Sequence, residues 1–157
     1  MGNFLPIDSN TKEEKYLSIY PQLCALFEGE KDALANQANF IAALKTTFNW
    51  WWVGFYFVKN NELVLGPFQG PVACTRIGFG KGVCGSAWKS KEVIIVPDVH
   101  KFPGHIACSS ESLSEIVIPF YNASNDCMGV LDVDSEFLNH FDEVDEKYLI
   151  KMLKLLF

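Results

Sequence analysis

Residues 50 to 58 read WWWVGFYFV. Nine residues with no charge, rich in aromatic and β-branched side chains and too short to cross a membrane, predict a buried β-strand. The run stops at Lys59, and ELVLGPF (62–68) follows after Asn60 and Asn61. Asparagine tolerates the left-handed backbone of a tight turn, so the two segments predict a hairpin. On the first strand Trp50, Trp52, Gly54 and Tyr56 point one way and Trp51, Val53, Phe55 and Phe57 the other. One face is core; the other either lines a pocket or is buried as well.

Working outward, EVIIVPD (92–98), SEIVIPFY (114–121) and CMGVLDVDS (127–135) predict three further strands. Upstream, KEEKYLSIYPQLCALF and EKDALANQANFIAALKTTF carry apolar residues at three- and four-residue spacing, with Pro21 expected to open a new helix. Downstream, Asp142 should cap a helix that turns Leu149, Met152, Leu153 and Leu156 to one side. Helices, a hairpin, a glycine-rich crossing segment, a strand, a long loop, another hairpin and a last helix imply an α+β layer fold. The sheet is antiparallel, with helices packed mainly on one face. No repeat or linker divides the chain, so one domain over 1–157 is expected.

The bulk composition narrows the function. Thirteen scattered Lys and Arg against 19 Asp and Glu, a net charge of −6, argue against nucleic acid, whose phosphates need clustered cations. No window is long and apolar enough for a membrane span, and the N-terminus lacks a signal-peptide layout, so a cytoplasmic protein is expected. No C-x-x-C pair accompanies His100 and His105, and GFGKGVCG (78–85) lacks the spacing and the Ser or Thr of a phosphate loop. Neither a metal nor another cofactor is expected.

Five cysteines form an odd set, and in a reducing compartment such residues pack, bind metal or do redox chemistry. Cys24 sits in a helical pattern and Cys127 beside a hairpin turn, where packing accounts for them. Cys74, Cys84 and Cys108 lie among Gly, Pro, Ser and Thr, in irregular backbone able to approach a ligand. They are the redox candidates. A thiolate is the reactive form, and His105 or Arg76 is a candidate to favour it. Glu115 heads a run too apolar for a surface strand, so burial should raise its pKa and make it a proton donor near neutrality. Asp132 and Asp134 alternate with Leu131 and Val133, which alone would describe a solvated strand face.

The segments WVGFY (52–56), ACTRIGFGKGVCG (73–85), DVHKFPGHIAC (98–108), SEIVIP (114–119) and GVLDVDS (129–135) together closely resemble the free methionine-(R)-sulfoxide reductase family, whose members are stand-alone GAF domains. The likeness runs in order from Trp52 to Ser135 and keeps the cysteine intervals of 10 and 24 positions. It departs at Gly78, where the family usually has proline, and at Ser109, where it usually has aspartate.

The resemblance implies that Cys108 attacks the sulfur of free methionine-(R)-sulfoxide and becomes a sulfenic acid. A second thiol, Cys74 or Cys84 with Cys74 favoured, then forms a disulfide that thioredoxin reduces. Glu115 would protonate the oxygen, Asp132 and Asp134 would assist or bind the substrate ammonium, and Trp52 and Tyr56 would enclose the S-methyl end. A homodimer is also implied. The competing expectation is a GAF module that senses a small ligand without turning it over.

Overall fold

The computed structural model describes residues 4, 5, 7, 9, 11 to 104 and 111 to 157. His105, Cys108 and Ser109, singled out above, lie outside the described residues.

Among the described residues eleven elements follow one another: α1 (Lys12–Phe27), α2 (Ala33–Phe48), β1 (Trp52–Lys59), β2 (Glu62–Gln69), β3 (Arg76–Gly78), α3 (Gly82–Ser90), β4 (Ile94–Val96), a short 3-10 turn (Val99–Lys101), β5 (Ser114–Tyr121), β6 (Cys127–Ser135) and α4 (Glu143–Leu153). The strands form one six-stranded sheet in the order β3-β2-β1-β6-β5-β4, antiparallel throughout. The expected α+β fold is therefore present. Asn60 and Asn61 both take positive φ, the backbone that a two-residue hairpin needs between β1 and β2.

Each helix start has a local cause. Thr11 and Glu14 make a capping box at α1, the Asp32 side chain accepts from the Ala35 amide at α2, and Asp142 with Asp145 makes a second box at α4. Pro21 does not open a helix, contrary to expectation; it lies inside α1. Proline lacks an amide hydrogen and leaves the carbonyl four residues earlier, that of Leu17, without its helical donor. Leu17 is 56% exposed, so water can reach this face, and capping at Thr11 carries the helix past the defect.

The two faces of the sheet bury different things. Against α1, α2 and α4 it turns Val53 and Phe55 of β1, Ile116, Ile118 and Phe120 of β5, and Leu131 and Val133 of β6, in one apolar core with Phe40, Leu44 and Leu149. Against α3 it turns Trp52 and Tyr56 of β1, Val117 of β5 and Val130 of β6. The alternation predicted for β1 holds from Trp52 onward. Trp50 and Trp51 are reversed, because the strand starts only at Trp52 and Asn49 before it takes left-handed backbone; Trp50 packs with the three-helix side and Trp51 with the α3 side.

The glycine-rich segment is ordered rather than irregular: it supplies both β3 and α3, and Cys84 is a helical residue. Gly80 and Gly82 turn the chain at positive φ. A Cβ on Gly85 would stand 2.4 Å from the Gly78 carbonyl oxygen, so only glycine lets α3 lie this close to β3. Gly85→Ala is expected to lower the urea unfolding free energy by about 2 kcal/mol or more, because neither backbone can yield cheaply.

Candidate active site

The register of three central strands builds the floor of a pocket. Trp52 pairs with Asp134, and Asp134 pairs across its other edge with Glu115; one step along, Gly54 pairs with Asp132, and Asp132 with Val117. Strand periodicity turns Trp52, Glu115, Asp132 and Asp134 to the α3 side together. Gly54 has a positional role: a Cβ there would meet the Trp52 ring at 2.4 Å, so its absence lets the indole lie along the sheet.

The walls come from elsewhere. Val83 and Cys84 descend from the first turn of α3, and Pro71, Val72 and Ala73 form the opposite rim. The aromatic tips fasten that rim: Trp52 Nε1 donates to the Pro71 carbonyl at 3.1 Å, and the Tyr56 hydroxyl donates to the Cys74 carbonyl at 2.9 Å. Ser112 Oγ donates to Asp134 in a short hydrogen bond. The cavity is about 40 Å³, room for a few water molecules.

Glu115 and Asp132 are only 5% and 7% exposed. Burial pushes both carboxyls well above the usual range, and each neighbouring negative charge pushes further, Asp132 and Asp134 on Glu115 and Asp134 on Asp132. The half-buried Asp134 rises to about 6 by burial, opposed by the Ser112 hydrogen bond. Three carboxyls this close cannot all ionise cheaply, so the cluster retains protons near neutrality. The solvated face that the alternation of Asp132 and Asp134 would describe on its own is not what the structure has; both line the pocket. They alternate with apolar residues because both faces of β6 are covered, not because one is wet.

A folded-state pKa above the unfolded one means that the native chain holds protons the unfolded chain gives up. For Asp134 the stabilising contribution is complete below pH 4 and is lost as pH rises through about 6. The midpoint of urea unfolding is therefore expected to fall between pH 5 and pH 8. Asp132→Asn should flatten that slope and raise stability at pH 8 by ~1–3 kcal/mol, since it removes a buried charge.

The cysteines separate into classes. Cys74 is disulfide-bonded, whereas Cys24, Cys84 and Cys127 carry free thiols. Cys84 is buried, and its pKa is pushed up first by that burial and then by the charges of Asp132 and Glu115. Arg76 turns away to an exposed ion pair with Glu62, 3.0 Å from Nη1 to Oε2. The structure thus brings Trp52, Tyr56, Cys84, Glu115, Asp132 and Asp134 to one cavity, with Cys74 immediately beyond its rim. Sequence reasoning missed Ser112 and the Pro71–Ala73 rim; the proline-containing turn after β2 was the rim's only local signal.

No family model matches the chain. Over 157 residues it is 60% identical to GAF domain-containing protein A of Dictyostelium discoideum, covering 99% of both chains. It is 43% identical to the free methionine-R-sulfoxide reductase of Saccharomyces cerevisiae, covering 94% of this chain and 87% of the yeast protein. Among solved structures, the free methionine-R-sulfoxide reductase of Neisseria meningitidis in complex with its substrate superposes with a TM-score of 0.94 at 50% identity, covering 98% of this chain and 92% of that one. Agreement of this length in both sequence and fold leaves one assignment: the chain belongs to the free methionine-R-sulfoxide reductase family, oxidoreductases built on the GAF fold.

Proposed function

We propose that the protein reduces free L-methionine-(R)-sulfoxide to L-methionine, with Cys108 as nucleophile and Cys74 as resolving thiol. The observation that carries the reading is a disulfide-bonded Cys74 beside a cavity floored by three carboxyls of raised pKa, Glu115 and Asp132 the most strongly shifted. A sulfoxide is a weak electrophile until its oxygen is protonated, and Glu115, sharing a hydrogen bond with Asp132, is the donor. The Cys108 thiolate attacks the substrate sulfur, the oxygen passes to Cys108 as a sulfenic acid, and methionine leaves with its sulfur reduced. The Cys74 thiol then attacks the Cys108 sulfur, forming a disulfide while its proton and the sulfenic hydroxyl leave together as water. A thioredoxin-type dithiol returns both cysteines to thiols and is itself oxidised. Cys84, free and low in the pocket, has no part in that disulfide.

The cavity also fits a free amino acid in charge. Asp134, raised only to about 6, is the anion that meets the substrate ammonium. The N-terminal turn of α3, with Gly82 and Val83 on the wall, presents backbone amides to the carboxylate. Trp52 and Tyr56 supply the apolar surface for the S-methyl end. A peptide bond removes both substrate charges, so peptide-bound methionine sulfoxide should be rejected. Recycling by thioredoxin implies a reducing compartment, the cytoplasm, and the described residues include no helix long and apolar enough to cross a membrane. The reading includes a homodimer, for which the exposed Leu17 of α1 and Leu34 of α2 offer apolar surface; light scattering checks it.

The test is thioredoxin-coupled NADPH oxidation with each epimer. The R epimer should turn over at least about 10²-fold faster than the S epimer, because inverting the sulfur moves the oxygen away from Glu115 and forfeits acid catalysis. Equal rates for both epimers, or for N-acetylated substrate, would remove the proposed geometry.

A further inference from the structure

Cys84 Sγ and one carboxylate oxygen each from Glu115 and Asp132 lie within 4.8 Å of one another, on α3, β5 and β6. All three residues are more than nine-tenths buried. Asp132 Oδ1 has no hydrogen-bond partner among the described residues, although it is fully shielded and its side chain lines the cavity. A buried oxygen left in this way is costly unless something cationic or protic meets it. We propose that Cys84, Glu115 and Asp132 form a binding site for a zinc-type divalent cation, which occupies the pocket in competition with substrate.

The donor set selects the class of ion. Calcium takes six or more oxygens and magnesium a near-ideal octahedron, and a buried sulfur suits neither. One thiolate with two carboxylates suits zinc or cobalt, which accept four donors, three from protein and one water. Ordinary zinc–sulfur and zinc–oxygen distances put tetrahedral donors roughly 3.5 Å apart, so side-chain rotation alone closes the present spacing. A cavity of about 40 Å³ admits the ion and its water. Binding displaces the thiol proton and any proton on the two carboxyls; no electron moves.

The chain's own ordering hides such a site. Local spacing gives no zinc motif because the donors stand at positions 84, 115 and 132 on three separate elements. Cys84 is free while Cys74 is disulfide-bonded, so the site exists in the oxidised protein, where the substrate is not yet needed. Competition with substrate rests on the proposed reductase reading; cation binding itself does not.

The experiment uses oxidised protein carrying Cys24→Ser and Cys127→Ser, titrated calorimetrically with zinc chloride and spectroscopically with cobalt(II). The expected result is one ion per chain, with a near-ultraviolet thiolate-to-cobalt charge-transfer band. Cys84→Ser should weaken binding about 100-fold and abolish the band, and Asp132→Asn should weaken it at least about 10-fold. Reduced Cys108→Ser protein should bind as tightly as its parent, which separates this site from capture by the reactive thiol and needs no turnover. Binding that survives Cys84→Ser, a cobalt spectrum without sulfur character, or no stoichiometric binding would overturn the site. If Cys84→Ser shifts the melting temperature, Asp132→Asn decides. With active enzyme, zinc should raise the apparent KM for free methionine sulfoxide; unchanged KM at saturating zinc would remove the competition.

Discussion

Cys108→Ser is expected to reduce turnover of free methionine-(R)-sulfoxide by at least about 10⁴-fold, to the background of the assay. Loss of a nucleophile removes the step around which the other groups are arranged, so acid catalysis and binding retain little value without it. A serine hydroxyl is barely ionised near neutrality and has no accessible sulfenic-acid state, so it cannot accept the oxygen. Cys74→Ser makes the informative contrast. It should complete one turnover per active site, releasing methionine and leaving Cys108 as a sulfenic acid, and then stall under thioredoxin. Rapid-quench measurement of methionine separates the two variants: none from Cys108→Ser, one equivalent from Cys74→Ser. A full rate from Cys108→Ser would transfer the chemistry to another residue.

Glu115→Gln should lower kcat by about 10²- to 10⁴-fold with little change in KM. Glutamine matches the glutamate in shape and can still donate a hydrogen bond through its amide, yet it cannot release a proton to the developing hydroxyl. The pH profile supplies a second readout. Burial and the negative Asp132 and Asp134 hold Glu115 protonated above the usual carboxyl range. The wild-type kcat should therefore fall on the alkaline side as that proton is lost, and the limb should vanish in Glu115→Gln. The same protonation serves the nucleophile, because a fully ionised trio of carboxylates would oppose any nearby thiolate. A Glu115→Gln variant with wild-type kcat and the alkaline limb intact would move the acid role to Asp132.

Much of this site could be read before the fold was known, for identifiable reasons. Trp52 and Tyr56 were legible because a strand repeats every two residues, and Glu115 because a lone acid at the head of IVIP has no solvated face to occupy. The sheet was legible because WWWVGFYFV, SEIVIPFY and CMGVLDVDS are too apolar for edges. Other parts depend on tertiary contact and leave no local trace. Asp132 and Asp134 alternate as a wet strand would, and only the covering by α3 and the Pro71–Ala73 rim makes them buried acids. Gly78 to Gly85 read as irregular backbone because glycine disfavours helices, whereas the segment holds β3 and the start of α3, and Gly85 lets the two meet. Pro21 read as a boundary because proline usually is one; the capping box at Thr11 and Glu14 and a water-exposed face outweigh it.

The oxidised cysteine pair is where the account is most directly exposed to experiment. Reduced enzyme given one equivalent of free methionine-(R)-sulfoxide without thioredoxin, trapped with an alkylating agent and digested, should yield a peptide linking Cys74 to Cys108, with Cys84 alkylated. A peptide linking Cys84 to Cys108, or methionine formed with no disulfide at either position, would contradict it.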